Sequence, residues 1–193
     1  MQGFLLLGFL VTSGALLWGL SQRKKVVPSS QPVPGTGNRP ATAPTTALIS
    51  LGDSLGVGLS PYLAAWATSK GLPFADDTKV GRFTKQQAVD VVPAGALVFV
   101  SLGTNDATSS AGAAALPTFA ATLRACGPRA IVWLVPPATK ALPGIAAVRD
   151  VISKLPGVTP VRTAVAVRSD GLHPSSYAAV FADVAPALEK ATR

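Results

Sequence analysis

The fold of this chain is decided by residues 49–56, ISLGDSLG, where an apolar run ends at a serine that lies between two glycines. Residues 46–51 are short and mostly apolar, which is typical of a buried β-strand. Gly52 gives the backbone the freedom to turn sharply at the carboxyl end of that strand. From Leu55 onward the apolar residues recur at helical spacing, so the stretch predicts a strand, a tight turn and a helix.

Ser54 lies at this predicted turn, immediately before the helical pattern begins. The first N–H groups of a helix have no partner within the helix and carry partial positive charge. An oxyanion that forms when a serine attacks a carbonyl needs fixed donors of this kind, so the position suits a nucleophile. Serine is also a common helix N-cap. The stretch by itself leaves both interpretations open.

Strand-like and helix-like segments alternate along residues 46–193. Strands are predicted at residues 46–51, 74–80, 96–102, 130–135 and 158–167, and helices at 55–69, 84–92, 111–125, 144–155 and 174–191. Repeated β-α units with buried strands predict a parallel sheet with helices on both faces. We therefore expect an α/β fold, a three-layer α/β/α sandwich with about five parallel strands.

Residues suited to catalysis follow the predicted strands at their carboxyl ends. Ser54 follows the first strand, Gly81 the second and Asn105 the third, and the only histidine of the chain, His173, follows the fifth. Ligand sites of open parallel sheets lie outside the carboxyl ends of the strands. These residues are far apart in the sequence, but we expect them to meet along one edge of the sheet.

The same residues have complementary chemistry. His173 can remove the proton of Ser54 on attack and return it to the leaving group. Asp170, three residues before His173, can accept a hydrogen bond from the imidazole and fix its tautomer. The backbone N–H groups of Ser54 and Gly81, with the Asn105 amide, predict an oxyanion hole. Each residue also has a structural interpretation: a helix cap for His173, a turn for Asn105 and a plain loop glycine for Gly81.

Four short motifs together resemble the conserved blocks of the SGNH (GDSL) hydrolase family. They are Gly52-Asp53-Ser54-Leu55, Gly81, Gly103-Thr104-Asn105-Asp106 and Asp170-x-x-His173, and they span essentially the whole of residues 46–190. The resemblance implies a flavodoxin-like sheet and hydrolysis of esters or thioesters through an acyl-enzyme, without a metal or another cofactor. It implies Ser54 as nucleophile, His173 as base and Asp170 as its partner. It also implies Ser54, Gly81 and Asn105 as the oxyanion donors.

Residues 52–56 also fit the G-x-S-x-G elbow of the α/β-hydrolases. In that family the nucleophile normally follows several strands, and the acid and the histidine lie on separate loops. Here Ser54 follows the first predicted strand, and Asp170 and His173 are three residues apart. These differences disfavour the elbow interpretation.

The amino-terminal part of the chain is organised differently from residues 46–193. Residues 4–20 are apolar and uncharged, which is at the short end for a membrane-spanning helix, and Arg23-Lys24-Lys25 follow them. We therefore expect residues 1–22 to be an uncleaved, single-pass membrane anchor in a cell envelope or a virion membrane. Which side of the membrane the remainder faces stays open. Residues 23–45 begin with the basic cluster and continue with five prolines and small polar residues, which predicts an extended linker.

Charge and cysteine content exclude several classes of protein. The formal net charge is +8, but four of the basic residues precede Thr46, which leaves +4 (13 basic minus 9 acidic residues) for residues 46–193. Because no basic patch with aromatic residues and no nucleic-acid-binding motif is present, we expect no nucleic-acid partner.

The single cysteine, Cys126, excludes an internal disulfide and a cysteine-based zinc cluster. It is expected to be a small core residue. The sequence does not determine the oligomeric state.

The short catalytic body favours a substrate with a small acyl group. Residues 46–193 contain no long insertion that would build a lid or a deep acyl tunnel. An open site suits acetyl esters on a large carrier such as a cell-envelope glycan, and an anchor with a spacer suits that location. A lysophospholipid or an acyl-thioester near the bilayer fits as well, and so does a structural or binding role in a membrane-associated assembly. Arg82, next to Gly81, is expected to meet an acidic substrate or to be solvated.

Overall fold

The computed structural model describes residues 46–193. The predicted anchor and linker, residues 1–22 and 23–45, lie outside the described residues. Within residues 46–193, none of the helices combines the length and the apolar character that crossing a bilayer requires.

Five parallel strands form one sheet in the order β2-β1-β3-β4-β5. The strands are β1 Leu48–Gly52, β2 Phe74–Thr78, β3 Leu97–Ser101, β4 Ala130–Leu134 and β5 Thr159–Val161. The α-helices are α1 Ser54–Ser69, α2 Ala115–Ala125, α3 Ile145–Lys154 and α4 Tyr177–Thr192. Strand order 2-1-3-4-5 is that of the flavodoxin-like doubly wound sheet. The predicted fold class and its five parallel strands are therefore confirmed.

Two hydrophobic cores lie on opposite faces of the sheet, because successive strand side chains point to opposite sides. Leu48 and Phe99 pack with α1 and α4 on one face. Ile49 and Val98 pack with α2 and α3 on the other. β3 is buried along its whole length. The prediction of helices on both faces is confirmed.

The turn between β1 and α1 packs closely against the end of β3. A β-carbon on Gly52 would lie 1.9 Å from Ser101 Oγ, and one on Gly56 would lie 2.4 Å from the same atom. Only glycine leaves room for this approach. The two glycines that flank Ser54 therefore bring the start of α1 directly against the centre of the sheet.

The helix predicted at residues 84–92 is wrong. The structure has a single 3₁₀ turn, Thr84–Gln86, followed by turns and irregular backbone up to β3. Tertiary contacts hold this segment in place: the Thr84 amide and hydroxyl both donate to Asp106, and the Gln87 side chain donates to Asp77. These long-range hydrogen bonds replace the local ladder of a helix.

The fifth strand is shorter than the predicted residues 158–167, because β5 ends at Val161. It pairs only with β4, and the last bond of the ladder runs from Val135 N to Val161 O at 2.8 Å. Pro136 and Pro137 follow in the β4 segment, and proline has no N–H to donate. The pairing of β4 with β5 therefore stops there. After Val161 the chain continues as a loop toward His173.

Candidate active site

Ser54, His173 and Asp170 form a chain of hydrogen bonds at the carboxyl edge of the sheet. Ser54 Oγ lies 3.0 Å from His173 Nε2, and His173 Nδ1 lies 2.8 Å from Asp170 Oδ2. When Nδ1 carries the proton and donates it to the carboxylate, Nε2 is left to accept from the serine hydroxyl. This geometry suits proton transfer from Ser54 to His173.

The loop that carries Asp170 and His173 is held as a tight antiparallel turn. Arg168 N donates to His173 O at 2.7 Å, and Ser175 N donates to Ala166 O at 2.8 Å. Gly171 lies at the tip with φ +68°, a conformation that favours glycine. Asp170 and His173 therefore lie on one tight turn, and the His173 side chain reaches Ser54 at the start of α1.

Asp170 is exposed but firmly held. Its Oδ1 accepts from the backbone N–H groups of His173 and Leu172, at 3.0 and 2.8 Å. These hydrogen bonds, with that from the imidazole, hold the pKa of Asp170 well below its usual range. The carboxylate is therefore ionised at neutral pH and orients the imidazole ring.

Ser54 and Gly81 have backbone N–H groups with no acceptor among residues 46–193. Ser54 is the first residue of α1, so its N–H has no partner within the helix. Gly81 lies in a turn closed by a hydrogen bond from Arg82 N to Lys79 O, and its φ is +77°. Since β1 pairs with both β2 and β3, the loops that follow these three strands lie at one edge.

Asn105 joins two of those loops. Its side-chain Nδ2 donates to Arg82 O at 3.1 Å, directly after Gly81. An amide nitrogen has two hydrogens, and the second has no acceptor in the described part of the chain. The structure therefore places the Asn105 amide beside the Gly81 turn.

Asp106 is a supporting residue whose role the sequence did not show. It is 5% exposed and accepts from Thr84 N at 3.0 Å and from Thr84 Oγ1 at 2.7 Å. These bonds fasten the segment after β2 to the loop after β3. Its position directly after Asn105 indicated that it lies near the candidate site. Its partner Thr84, 22 residues away in the sequence, could be identified only from the structure.

Asp53 is a second residue that sequence reasoning missed. It is fully buried beside the serine, caps α1 and accepts from Leu55 N at 3.0 Å through Oδ1. Burial raises the pKa of Asp53 from 3.8 to about 7, since a buried carboxylate loses its hydration. The hydroxyl and the backbone N–H of the neighbouring Thr104 offset part of this rise. An Asp before a helix predicts an N-cap, but its burial depends on tertiary packing.

Arg82 is not solvated, as one of the two expectations had it, and its contact with an acidic substrate stays a prediction. Its guanidinium is paired with Asp77 at 2.9 Å and also donates to Gln87 at 2.6 Å. Its side chain is only 14% exposed. Arg82 therefore stiffens the segment that carries Gly81, and its charge is already neutralised by a protein carboxylate.

Cys126 is half-buried and packs against the core of α2 and α3, so it is less enclosed than a small core residue was expected to be. Its thiol contacts Val89 O at 3.6 Å.

Within residues 46–193, no group of three or more His, Cys, Asp or Glu side chains is arranged to hold a metal ion.

A solved structure shares this fold. A member of the lipolytic protein G-D-S-L family from Veillonella parvula DSM 2008 aligns with 77% of this chain and 99% of its own, with a TM-score of 0.59. Sequence identity is 16%, so the likeness shows a common fold alone. No protein-family model matches this sequence, and no curated protein does. The chain thus shares the fold of this G-D-S-L family protein, and the resemblance is confirmed at the level of the fold.

Proposed function

We propose that this protein is a serine ester hydrolase that works through an acyl-enzyme. The observation that carries the proposal is the continuous hydrogen-bonded chain from Ser54 through His173 to Asp170. A nucleophile, a base within hydrogen-bond reach and a third group that orients the base are the parts that covalent acyl transfer needs. The fold shared with a lipolytic G-D-S-L protein agrees with this chemistry.

The proposed reaction has two half-reactions. Ser54 Oγ attacks the ester carbonyl while His173 Nε2 takes the hydroxyl proton, and the resulting oxyanion accepts hydrogen bonds from Ser54 N, Gly81 N and the Asn105 amide. Collapse of this intermediate breaks the ester C–O bond, and His173 returns the proton to the departing alcohol. Water then attacks the acyl-enzyme with the same base, which releases the acid and restores Ser54.

We further propose a short acyl substrate, of the acetyl type, on a cell-envelope glycan. The cleft that contains Gly81 has a volume of about 300 Å³ and is lined mainly by polar and charged residues, Lys79, Arg82 and Gln86 among them. Such a lining suits a hydroxyl-rich carrier better than an alkyl chain. An anchor at residues 1–22 and a linker at residues 23–45 would hold the domain near the envelope.

A lysophospholipase or acyl-thioesterase is the second candidate. Val80 is 69% exposed next to Gly81, and Val57 is 41% exposed one helical turn after Ser54. Two exposed apolar side chains, one beside Gly81 and one in the first turn of the helix that begins at Ser54, would offer contact to an acyl chain. Acyl-chain length therefore distinguishes the two substrates.

The test uses the full-length chain and p-nitrophenyl esters of two, four, eight and twelve carbons, together with an acetylated glycan. Turnover restricted to acetyl substrates supports the glycan esterase, and a maximum at eight carbons or more supports the lipid alternative. Ser54→Ala is the inactive control. Ser60→Ala is the matched control, because Ser60 lies on the same helix and its hydroxyl donates to Asp76.

A structural or binding role without turnover is the remaining alternative. In that case folded protein would hydrolyse none of these esters, and a fluorophosphonate would not label Ser54. Labelling that is present in Ser60→Ala and lost in Ser54→Ala argues against this alternative.

A further inference from the structure

Tyr177 packs against α1 close to the candidate nucleophile. It is the first residue of α4 and is half-buried. A β-carbon on Gly58 would lie 2.1, 2.2 and 2.5 Å from Cζ, Cε1 and Cε2 of the Tyr177 ring. The phenol end of the ring therefore lies directly on the backbone of α1, and only glycine at position 58 leaves room for it.

Two contacts with the same spacing join α1 to the segment that carries the candidate base. His173 contacts Ser54, and Tyr177 contacts Gly58, so the second contact lies four residues after the first on both segments. Residues four apart on a helix lie on the same face, one turn from each other. The Tyr177 ring therefore contacts α1 one helical turn beyond the reactive serine.

Arg168 ties the same ring to the turn that bears His173. Its guanidinium lies over the Tyr177 ring, 5.8 Å from the ring centroid, and its backbone N–H donates to His173 O. Burial raises the pKa of Tyr177, and the charge of Arg168 opposes this rise. The carboxylates of Asp53 and Asp170 raise the pKa of Tyr177 further. The phenol therefore lies within electrostatic range of both carboxylates of the site.

The other contacts of the turn do not fix its distance from α1. Hydrogen bonds within residues 166–175 hold the shape of the turn. Gly171, at its tip, lies against a different loop, since a β-carbon on Gly171 would be 3.0 Å from Ala141. Of these contacts, the one between Tyr177 and Gly58 is the one that holds the turn against α1.

We infer that Tyr177 is a positioning residue, whose ring on Gly58 fixes the distance between His173 Nε2 and Ser54 Oγ. The inference rests on the proposed esterase function and adds a residue that acts through His173. Proton transfer requires the base to lie within hydrogen-bond reach of the hydroxyl. His173 serves both half-reactions, so its displacement slows formation and hydrolysis of the acyl-enzyme together. The loss should therefore appear in kcat and not in KM.

The test replaces Tyr177 with Ala in the full-length chain and measures steady-state hydrolysis of p-nitrophenyl acetate. We expect kcat to fall by about 10²-fold with little change in KM, the size of effect that a misplacement of about 1 Å produces. The rate at which a fluorophosphonate labels Ser54 should fall as well, because attack needs the base. Tyr177→Phe keeps the ring and should retain most of the wild-type kcat.

Phe181→Ala is the matched control. Phe181 lies one turn after Tyr177 on α4 and stacks on Tyr62, which lies one turn after Gly58 on α1, with ring centroids 6.0 Å apart. The control therefore removes an aromatic contact between the same two helices, but farther from the site. Thermal unfolding is measured for every variant. Phe181→Ala should lower Tm and leave kcat unchanged.

Gly58→Ala tests the same contact with the tyrosine in place. The new methyl group displaces the ring, while α1 itself is not weakened, because alanine is the better helix former. We expect a fall in kcat similar to that of Tyr177→Ala. The double variant Gly58→Ala/Tyr177→Ala should be no slower than Tyr177→Ala alone, since the ring that clashes is gone. If Tyr177→Ala does not fold, Gly58→Ala decides the question.

Near-normal kcat in Tyr177→Ala or in Gly58→Ala would overturn the inference. So would a loss in Tyr177→Phe as large as that in Tyr177→Ala, an equal loss of kcat in Phe181→Ala, or additive losses in the double variant. If wild type hydrolyses p-nitrophenyl acetate in any of these cases, the esterase proposal stands and only the role of Tyr177 fails. Wild-type protein that shows neither hydrolysis nor labelling of Ser54 contradicts both.

Discussion

His173 Nε2 lies 3.0 Å from Ser54 Oγ, although 119 residues separate them in the chain. The contact joins the turn after the interior strand β1 to the loop after the edge strand β5. The hydrogen bond from Arg168 N to His173 O stabilises the loop, and the close fit of Gly52 against Ser101 positions the serine. The contact between Ser54 and His173 is therefore supported from both sides by backbone geometry.

Replacing Asp170 with Asn tests the role of the carboxylate. We expect kcat to fall by about 10⁴-fold with little change in KM, because the amide stabilises the wrong imidazole tautomer and cannot balance an imidazolium. Steady-state kinetics on p-nitrophenyl acetate measure both constants. Asp150→Asn, at an exposed ion pair with Lys154 on α3, is the control and should leave both unchanged. An Asp170→Asn variant with near-normal kcat would contradict the assigned role.

Replacing Asn105 with Ala tests the oxyanion hole. Loss of one donor of this kind lowers kcat by about 10²–10³-fold with a small effect on KM. The variant also loses the bond to Arg82 O, so circular dichroism and thermal unfolding must accompany the kinetics. Thr108→Val, which removes a hydroxyl that donates to Asn105 O at 2.8 Å, controls for disturbance of the loop. An equal fall in kcat in both variants would show that loop structure, and not the amide, is responsible.

Asp53 predicts a specific dependence of stability on pH. Its pKa is raised from 3.8 to about 7 in the folded protein, so the folded state binds the proton more tightly than the unfolded state. The free energy of unfolding therefore decreases as pH rises from about 4 to about 7, by up to about 4 kcal/mol, and the contribution is constant above that range. Urea unfolding at pH 5 and pH 8 measures the change.

Two substitutions separate the charge of Asp53 from its cap. Asp53→Asn keeps an acceptor for Leu55 N, removes the titration and should reduce the loss of stability between pH 5 and pH 8. Asp53→Ala also removes the cap, at a further cost of about 1 kcal/mol. If wild type and Asp53→Asn show the same difference between the two pH values, the raised pKa is not the cause.

Gly52→Ala tests the close approach of the β1–α1 turn to β3. The new methyl would lie 1.9 Å from Ser101 Oγ, so we expect a loss of about 1–3 kcal/mol of folding stability and displacement of Ser54. Ser101→Ala removes the clashing hydroxyl, which has no hydrogen-bond partner within residues 46–193. The double variant should recover part of the stability, as a double-mutant cycle would show. Additive losses would place the strain elsewhere.

Several features could be predicted because their causes are local. Apolar runs such as residues 97–101 indicate buried strands in any context, and Gly52 followed by Asp53 and Ser54 indicates a turn and a helix start. Strand and helix order then restricts the topology to a parallel doubly wound sheet. The helix predicted at residues 84–92 was wrong, because hydrogen bonds to Asp106 and Asp77, more remote in the sequence, determine that segment.

The sequence by itself therefore determined the α/β architecture and which residues lie at the carboxyl edge of the sheet, since both follow from short-range patterns and the rules of strand connection. Only the tertiary structure decided the environment of each group at that edge: the 3.0 Å contact of Ser54 with His173, the burial that raises the pKa of Asp53, and the pairing of Arg82 with Asp77. The physical reason is that hydration and Coulomb interactions depend on neighbours brought together by folding, and those neighbours are distant in the chain.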